Sequence, residues 1–174
     1  SELKSNDIDN ITRSDATLNF TVTASDTNFL NVSLNGTLMN PLSGNLYSLL
    51  SNLNNFGCVN DGSCLLSAKA LDLAGNTNSI AYSLIIDNTA PAVTSINTPL
   101  NNTNITGIAK FNATVTDTPS GVQTVYFNVT NGTNFVIINL INAANDYFNN
   151  SFDTSLLADG QHTATVYALD NSGN

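Results

Sequence analysis

Positive charge is the scarcest property of this sequence. Only four of the 174 residues are Lys or Arg, against thirteen Asp or Glu, so the formal net charge is −9 at pH 7. Four scattered cations form neither the basic patch that binds nucleic acid nor the polybasic segment that holds a protein on an anionic membrane. The longest apolar run is the short Phe135–Ile138. We therefore expect no nucleic acid partner and no direct membrane insertion.

Side chains suited to catalysis are also scarce. The chain has one His, no Trp and no Gly-x-Ser-x-Gly motif, so no nucleophile with a neighbouring base is evident. The Asp residues lie in turn motifs rather than in pairs that flank a cleft, which disfavours glycosidase chemistry. We therefore predict that the protein is not an enzyme.

Glu is nearly absent, whereas short polar residues are abundant. One Glu stands beside 12 Asp, 30 Asn, 21 Thr and 17 Ser, while 41% of the chain is hydrophobic. Glu favours helices and Asp favours turns, and this hydrophobic content is too high for a disordered chain. The composition predicts an all-β, loop-rich fold.

One phrase occurs twice, about one sandwich domain apart. Ala70–Asn76 reads A-L-D-L-A-G-N and Ala168–Asn174 reads A-L-D-N-S-G-N. The first copy is followed by an alternating strand at 79–87 and by a hinge at Asp87–Pro91. This order predicts two tandem β-sandwich domains, residues 1–88 and 89–174.

The second copy of the phrase has no strand after it, so we expect the second domain to lack its own last strand. Such a domain has an open seam and unpaired backbone groups along one edge. Either the natural protein continues beyond this sequence, which we favour, or another chain supplies the strand by β-addition.

Alternating hydrophobicity predicts the positions of several strands. Ala16–Ala24 alternates cleanly and precedes Asp26, and Asn35-Gly36 indicates a tight hairpin. The strand before that hairpin is expected to point Leu30, Val32 and Leu34 inward. Residues 1–15 are expected to be irregular, and Phe135–Ile141 is expected to be buried on both faces.

Three phrases carry a family resemblance. Val115–Val122 reads V-T-D-T-P-S-G-V, the A-x-D-x-x-G-N phrase occurs twice, and Asp87–Pro91 reads D-N-T-A-P. In their order and spacing, these phrases resemble the immunoglobulin-like (Ig-like) repeats of bacterial and archaeal cell-surface proteins. The first domain departs from the pattern because no Ser-Gly follows Asp26.

The resemblance implies two tandem Ig-like β-sandwiches in an extracellular or cell-surface protein. Such repeats serve in surface layers, filaments, stalks and adhesins. We therefore expect a self-associating structural module that packs against copies of itself or neighbouring Ig-like repeats. Strand addition at the open seam of the second domain is one such contact. The alternative is an adhesin or carbohydrate-binding module, with Tyr126 and Tyr167 on the outward face of their strands.

The two cysteines lie close together in the sequence. Cys58 and Cys64 flank V-N-D-G-S, in which Asp61-Gly62 is a turn signal. A turn there brings the sulfurs within bridging distance, which predicts a disulfide formed in an oxidising compartment. The alternative is a pair of free buried thiols, whereas zinc is disfavoured because His162 is the only other soft ligand.

Oxygen ligands recur at the expected domain junction and suggest calcium, which takes six to eight oxygens. The candidate calcium set is Asp87, Asn88, Asp117 and Asp170. The second candidate set is Asp26 and Asp72, with Asp7 and Asp9 nearby. The alternative is that these carboxylates accept backbone N–H bonds and fix their turns without a metal.

N-linked glycans are expected because Asn-x-Ser/Thr sequons are frequent and several lie on outward strand positions or hairpin tips. The alternative is a polar surface suited to β-strands. The sequons are at Asn10, Asn19, Asn31, Asn35, Asn101, Asn104, Asn112, Asn128, Asn131 and Asn149.

Overall fold

The computed structural model describes residues 3–6 and 10–174, and its contacts divide the chain into two compact units, Ser1–Asn88 and Thr89–Asn174. Both units are built from strands. The helical segments in the described ranges are two single 3₁₀ turns, Leu53–Phe56 and Thr154–Leu156. Across these same ranges, no helix has the length and hydrophobicity needed to cross a membrane.

The first unit is a sandwich of two sheets. Its strands are β1 Leu3–Lys4, β2 Ile11–Thr12, β3 Thr17–Thr23, β4 Phe29–Leu34, β5 Thr37–Leu38, β6 Asn40–Pro41, β7 Leu46–Asn52, β8 Gly62–Asp72 and β9 Thr77–Ile86. One sheet has the order β1-β3-β7-β6 and the other β2-β9-β8-β4-β5. The short β2 is parallel to β9, and the remaining pairs are antiparallel.

The core of the first unit lies between these sheets, because alternate residues of β3, β4 and β8 point inward. Phe20 of β3 is fully buried, and its ring makes edge contacts with Phe56 and Tyr82. Aromatic pairs of this geometry contribute beyond their buried area.

The second unit is also a two-sheet sandwich. Its strands are β10 Ala92–Thr98, β11 Ile108–Thr116, β12 Val122–Thr130, β13 Phe135–Asn139, β14 Ile141–Ala143, β15 Asp146–Asp153 and β16 Thr163–Asp170. The sheets have the orders β10-β11-β15-β14 and β13-β12-β16. Phe111 is central to the core, where its ring contacts Phe127 and Phe152 edge-on.

The repeated phrase has the same pairing in both units. In the first unit Phe29 is opposite Asp72, and after a register shift Val32 is opposite Ala70. In the second unit Val122 is opposite Asp170, and after a register shift Val125 is opposite Ala168. Strand β16 therefore corresponds to β8, β12 to β4 and β11 to β3.

Two predictions about burial are wrong. The register shift between Phe29 and Asn31 is a β-bulge, which turns Leu30 outward (49% exposed) and lets Phe29 pack against the core. In Phe135–Ile141, only Ile138 is fully buried, because one face of β13 lies on the core and the other on the surface.

The expectation that residues 1–15 are irregular is wrong at two points. Leu3 is buried on the edge of one sheet, where it is opposite Val22, and β2 adds to the edge of the other. Two-residue strands carry too little alternation to be recognised in a sequence. The predicted hairpin at Asn35-Gly36 is confirmed: both residues have positive φ, and Leu34 is opposite Thr37.

Candidate functional site

The Asp-x-x-Gly-Asn turn of the first unit is closed by its own side chains. Asp72 Oδ1 accepts hydrogen bonds from the backbone N–H groups of Ala74 and Asn76, at 2.9 and 2.7 Å. Asp72 Oδ2 accepts one from Asn76 Nδ2 at 2.8 Å. Gly75 has a φ of 87°, a conformation that glycine adopts without strain. The phrase is therefore a capped turn that joins β8 to β9.

The turn of the second unit repeats this geometry with one bond more. Asp170 Oδ1 accepts from the Ser172 backbone, the Ser172 hydroxyl and the Asn174 backbone, at 2.9, 2.9 and 2.8 Å. Asp170 Oδ2 accepts from Asn174 Nδ2 at 2.9 Å. A carboxylate offers about two lone pairs on each oxygen, so Oδ1 of Asp170 is fully engaged by three bonds, whereas Oδ2 accepts a single one.

The hydrogen bonds lower the pKa of both Asp72 and Asp170. The side-chain bond from Asn76, followed by the backbone bonds, holds the pKa of Asp72 below its usual value of 3.8. Burial raises the pKa of Asp170, but the bonds from Asn174, Ser172 and Gly173 outweigh it and the net pKa is lowered. Both side chains are therefore ionised at neutral pH, because hydrogen bonds favour the charged form.

Asp117 and Asp170 lie together in the second unit. A carboxylate oxygen of one is within 4.8 Å of one of the other. Ser120, which is buried, donates its hydroxyl to Asp117 Oδ2 at 3.2 Å, and Asn171 Nδ2 donates to the carbonyls of Ser120 and Gly121. The Ser-Gly part of the family phrase therefore anchors the loop after β11 to the turn after β16.

The other members of the first candidate calcium set belong to the first unit. Asp87 is fully buried, and its backbone N–H donates to the carbonyl of Thr12 at 2.9 Å. Asn88 accepts from the Ser14 backbone and donates from its backbone and its side chain to Asp61 Oδ1. Calcium binding by Asp87, Asn88, Asp117 and Asp170 stays a prediction.

The second candidate set lines a cavity in the first unit. Asp26 Oδ1 accepts from the Asn28 backbone at 2.8 Å, and both Asp26 and Asp72 border a cavity of about 250 Å³. Asp7 and Asp9 lie outside the described residues. A metal ligated by Asp26 and Asp72 also stays a prediction.

Cys58 and Cys64 form a disulfide in the structure. Their Cα atoms are 5.6 Å apart, and both side chains are buried. The bridge closes the loop that leads into β8. Asp61 lies within this loop and accepts two hydrogen bonds from Asn88. The bridge therefore also holds in place the loop that binds Asn88, the last residue of the first unit.

The sequon asparagines differ in exposure. Asn10, Asn19, Asn35, Asn101, Asn104 and Asn131 are exposed, whereas Asn31, Asn112, Asn128 and Asn149 are half-buried. Asn149 Nδ2, the atom that would carry a glycan, donates to the carbonyl of Asn139 at 3.2 Å. Asn128 Oδ1 is buried without a hydrogen-bond partner in the described part of the chain. The six exposed sequons are therefore the better acceptors, and glycosylation stays a prediction.

The two outward tyrosines lie side by side. Tyr126 of β12 is opposite Tyr167 of β16, and their rings stack with centroids 5.3 Å apart and planes 14° apart. The same outer face carries Phe135 and Ile137 of β13, which are 68% and 42% exposed. At these four positions the outer face carries aromatic and aliphatic side chains and no charged group.

The second unit matches the model of a known protein family. Residues 91–166 match the model of the bacterial Ig domain. The resemblance to bacterial Ig-like repeats is confirmed. The predicted all-β, Ig-like sandwich fold is confirmed with it. No curated protein matches the sequence.

Two solved structures of adhesion proteins are similar to this chain. A structure of a 1.5-MDa bacterial ice-binding adhesin has 19% identity and a TM-score of 0.51, covering 99% of this chain and 59% of its own. A tetra-tandem repeat from the extending region of a large adhesion protein has 23% identity and a TM-score of 0.39, covering 99% and 45%. The chain thus spans about half the length of these structures. The similarity to the ice-binding adhesin shows a shared fold.

Proposed function

We propose that the chain is a non-catalytic structural module of an exported cell-surface assembly, such as a surface layer, a filament or the stalk of an adhesin. Its modules associate with copies of themselves or with neighbouring Ig-like repeats. The Ig-like fold, the fold similarity to an adhesin and the low content of charge support this role. Few charged groups need to be desolvated when such surfaces pack together.

The observation that carries the proposal is the second edge of β16. This strand pairs with β12 on one side, and in residues 3–6 and 10–174 no strand pairs with its other side. In the first unit the corresponding strand β8 lies between β4 and β9. An edge that leaves backbone N–H and C=O groups unpaired is a template for another strand.

The core beside this edge is less covered than in the first unit. Ala68 of β8 is buried, whereas the corresponding Val166 of β16 is half-buried. On the facing strand β10, the apolar side chains of Val93 and Ile96 are each 42% exposed. An added strand with inward apolar side chains covers these groups and stabilises the association through their burial.

Self-association is tested by light scattering of the purified chain over a range of concentrations. We expect a mass that rises with concentration for the natural sequence. The variant Thr165→Lys, which puts a charge on the exposed side of the β16 edge strand, is expected to stay monomeric. Thr124→Lys is the matched control, because Thr124 is exposed on the same sheet but on the central strand β12.

The outcomes distinguish a contact through the edge of β16 from a contact through the outer face of the sheet. Loss of association in both variants assigns the contact to the outer sheet face instead of the edge. A monomer at every concentration contradicts self-association.

A second function, carbohydrate binding, is favoured by one observation, the stacked pair of Tyr126 and Tyr167 on an exposed face. Aromatic rings with an apolar body and a polar hydroxyl are suited to sugar contacts. Binding to a glycan array that Tyr167→Ala abolishes supports this function. The control Tyr47→Phe leaves the outer face of the second unit unchanged.

A further inference from the structure

The tripeptide Asn-Gly-Thr occurs at the same place in both units. Residues 35–37 follow β4 directly, and residues 131–133 follow β12, the strand that corresponds to β4. In both units this strand starts opposite the Asp of the capped turn. Each tripeptide therefore lies on a hairpin tip, at the end of its sheet that is far from that turn.

The side chain of Asn35 is held through its oxygen. The Asn35 backbone N–H donates to the Ser67 carbonyl at 3.0 Å, and Asn35 Oδ1 accepts from the Ser67 backbone N–H at 2.7 Å. Within the described part of the chain, Nδ2 donates no hydrogen bond. The amide group is thus oriented by one of its two polar atoms while the nitrogen stays available.

The side chain of Asn131 reaches the same condition in a different loop. This hairpin has four residues between the pairs, because Thr130 is opposite Phe135. Asn131 Oδ1 accepts from the backbone N–H groups of Thr133 and Asn134 at 3.0 and 2.9 Å. Its Nδ2, like that of Asn35, donates no hydrogen bond to any described residue.

Both tips are open to a large partner. All three residues of each tripeptide are exposed. No heavy atom of the described chain lies within 4 Å of the position that a Cβ would take on Gly36 or Gly132. The hydroxyl groups of Thr37 and Thr133 make no hydrogen bond with the described residues. The amide nitrogen and the hydroxyl, which a sequon presents to a glycosyl-transferring enzyme, are therefore both accessible.

The sequons inside strands are less accessible. Asn31, Asn112 and Asn128 are half-buried, and Nδ2 of Asn149 is engaged with a backbone carbonyl at 3.2 Å. Asn19 is exposed, but it lies within β3, which is flanked by β1 and β7. An enzyme that must enclose the acceptor reaches a loop tip more readily than the middle of a sheet.

The other loop sequons each lack one of these properties. In the sequon of Asn10 the hydroxyl residue Thr12 is half-buried in β2. In the sequon of Asn101 the Thr103 hydroxyl already donates to a backbone carbonyl at 2.6 Å. Asn104 is exposed, but no hydrogen bond within the described residues orients its amide.

We infer that Asn35 and Asn131 are the positions at which an N-linked glycan is transferred to the folded chain, one on the same tip of each unit. Nδ2 attacks C1 of the first sugar of an oligosaccharide that is linked to a polyprenyl phosphate. The bond from Nδ2 to C1 forms, the bond from C1 to the phosphate oxygen breaks, Nδ2 loses one proton, and the lipid phosphate leaves.

The transfer preserves the local structure of both tips. A glycosylated amide keeps its carbonyl oxygen as an acceptor. The bonds from Ser67 to Asn35 and from Thr133 and Asn134 to Asn131 therefore persist after modification. The inference rests on the proposed function in one respect, the export of the chain, because N-glycans are found on surface loops of secreted proteins.

The test is glycan transfer to the purified, folded full chain by a purified oligosaccharyltransferase with its lipid-linked oligosaccharide, followed by mass spectrometry of the glycopeptides. The enzyme is one that accepts the free peptides 33–39, 129–135 and 145–155, which contain the sequons of Asn35, Asn131 and Asn149. In the folded chain we expect initial rates at Asn35 and Asn131 at least tenfold above the rate at Asn149. Empty Asn35 and Asn131, or equal rates at all three positions, overturn the inference.

Variants of the sequon hydroxyl provide the matched controls. Thr37→Val and Thr133→Val keep each Asn and remove an exposed hydroxyl that makes no hydrogen bond with the described residues. Each is expected to lose the glycan of its own tip and to keep the other. Thr37→Ser and Thr133→Ser keep the hydroxyl and are expected to keep both glycans. Transfer that is unaffected by the Val variants contradicts the assignment.

The assay requires neither export nor association of the chain. Thr165→Lys, which tests the edge of β16, leaves both tips intact and is expected to accept both glycans. A monomeric chain that is glycosylated at both tips contradicts self-association alone, whereas an associating chain with empty tips contradicts this inference alone.

Discussion

Asp72 and Asn76 are joined by three hydrogen bonds that close one turn. The backbone and the side-chain N–H groups of Asn76 donate to the carboxylate at 2.7 and 2.8 Å, and the Asp72 backbone N–H donates to the Asn76 carbonyl at 3.1 Å. Asp170 and Asn174 repeat all three bonds at 2.8, 2.9 and 3.3 Å. The repeated phrase is thus retained in both units as a self-capping turn.

The lowered pKa of both acids predicts that stability falls in acid. A folded-state pKa below 3.8 means that the unfolded chain binds the proton more tightly. The contribution of each carboxylate is therefore present above the unfolded value and is lost as the pH falls through the folded pKa. We expect the free energy of unfolding to drop below about pH 4. Denaturant titrations from pH 7 to pH 2 measure it.

The control for this acid dependence is the double variant Asp72→Asn, Asp170→Asn. It is less stable at pH 7, because an amide nitrogen replaces one acceptor oxygen in each turn, and it has a shallower pH dependence. If the free energy of unfolding of the double variant falls as steeply with pH as that of the natural sequence, other groups cause the acid dependence.

Calcium binding at the first candidate set predicts a Tm that rises with added calcium. Carboxylate oxygens of Asp117 and Asp170 lie within 4.8 Å of one another, and Oδ2 of Asp170 accepts only one hydrogen bond, so it can still donate a lone pair to a metal. Thermal melts with excess chelator and with millimolar calcium measure the effect. A rise in Tm that Asp117→Asn removes supports the calcium prediction, and an unchanged Tm at millimolar calcium contradicts it.

The disulfide is expected to stabilise the first unit. Replacing both Cys58 and Cys64 by Ser releases a loop with a sequence separation of 6, which lowers the free energy of unfolding by about 2 to 3 kcal/mol in the chain-entropy model. Chemical denaturation followed at residues of the first unit measures this loss. Intact mass with and without reductant is the control, because a mass that reductant does not raise by two hydrogens contradicts the bridge.

Phe111 and Phe135 of the second unit provide a matched pair of substitutions, one in the core and one on the surface. Phe111→Ala removes a ring from the centre of the core and is expected to destabilise by about 3 to 5 kcal/mol. Phe135→Ala removes the same ring from the surface and is expected to change stability by less than about 0.5 kcal/mol. Equal effects in urea denaturation contradict the assignment of inner and outer faces.

Features that depend on neighbouring residues were predictable from the sequence. The alternation of β3, the hairpin at Asn35-Gly36 and the repeat of the Asp-x-x-Gly-Asn phrase are local patterns, and the structure contains each of them. The bulge after Phe29 was not predictable, because a one-residue shift in pairing leaves the composition of β4 unchanged while it reverses the faces.

The candidate site was predictable only in part. The sequence indicated that Asp72 and Asp170 matter to their turns, but it left metal binding and turn capping open. Only the positions of the Asn76 and Asn174 amides show that the carboxylates are already engaged. The cavity of the first unit was missed altogether, because its lining comes from strands of both sheets that are distant in sequence and no local residue pattern records that.

Hydrogen exchange of the β16 amides tests the central claim most directly. The full chain is labelled with deuterium at low and at high protein concentration, and uptake is followed for peptides that cover Thr163–Asp170. We predict slower exchange in β16 at high concentration and unchanged exchange in the central strand β12. Exchange in β16 that is fast and independent of concentration contradicts association through this edge.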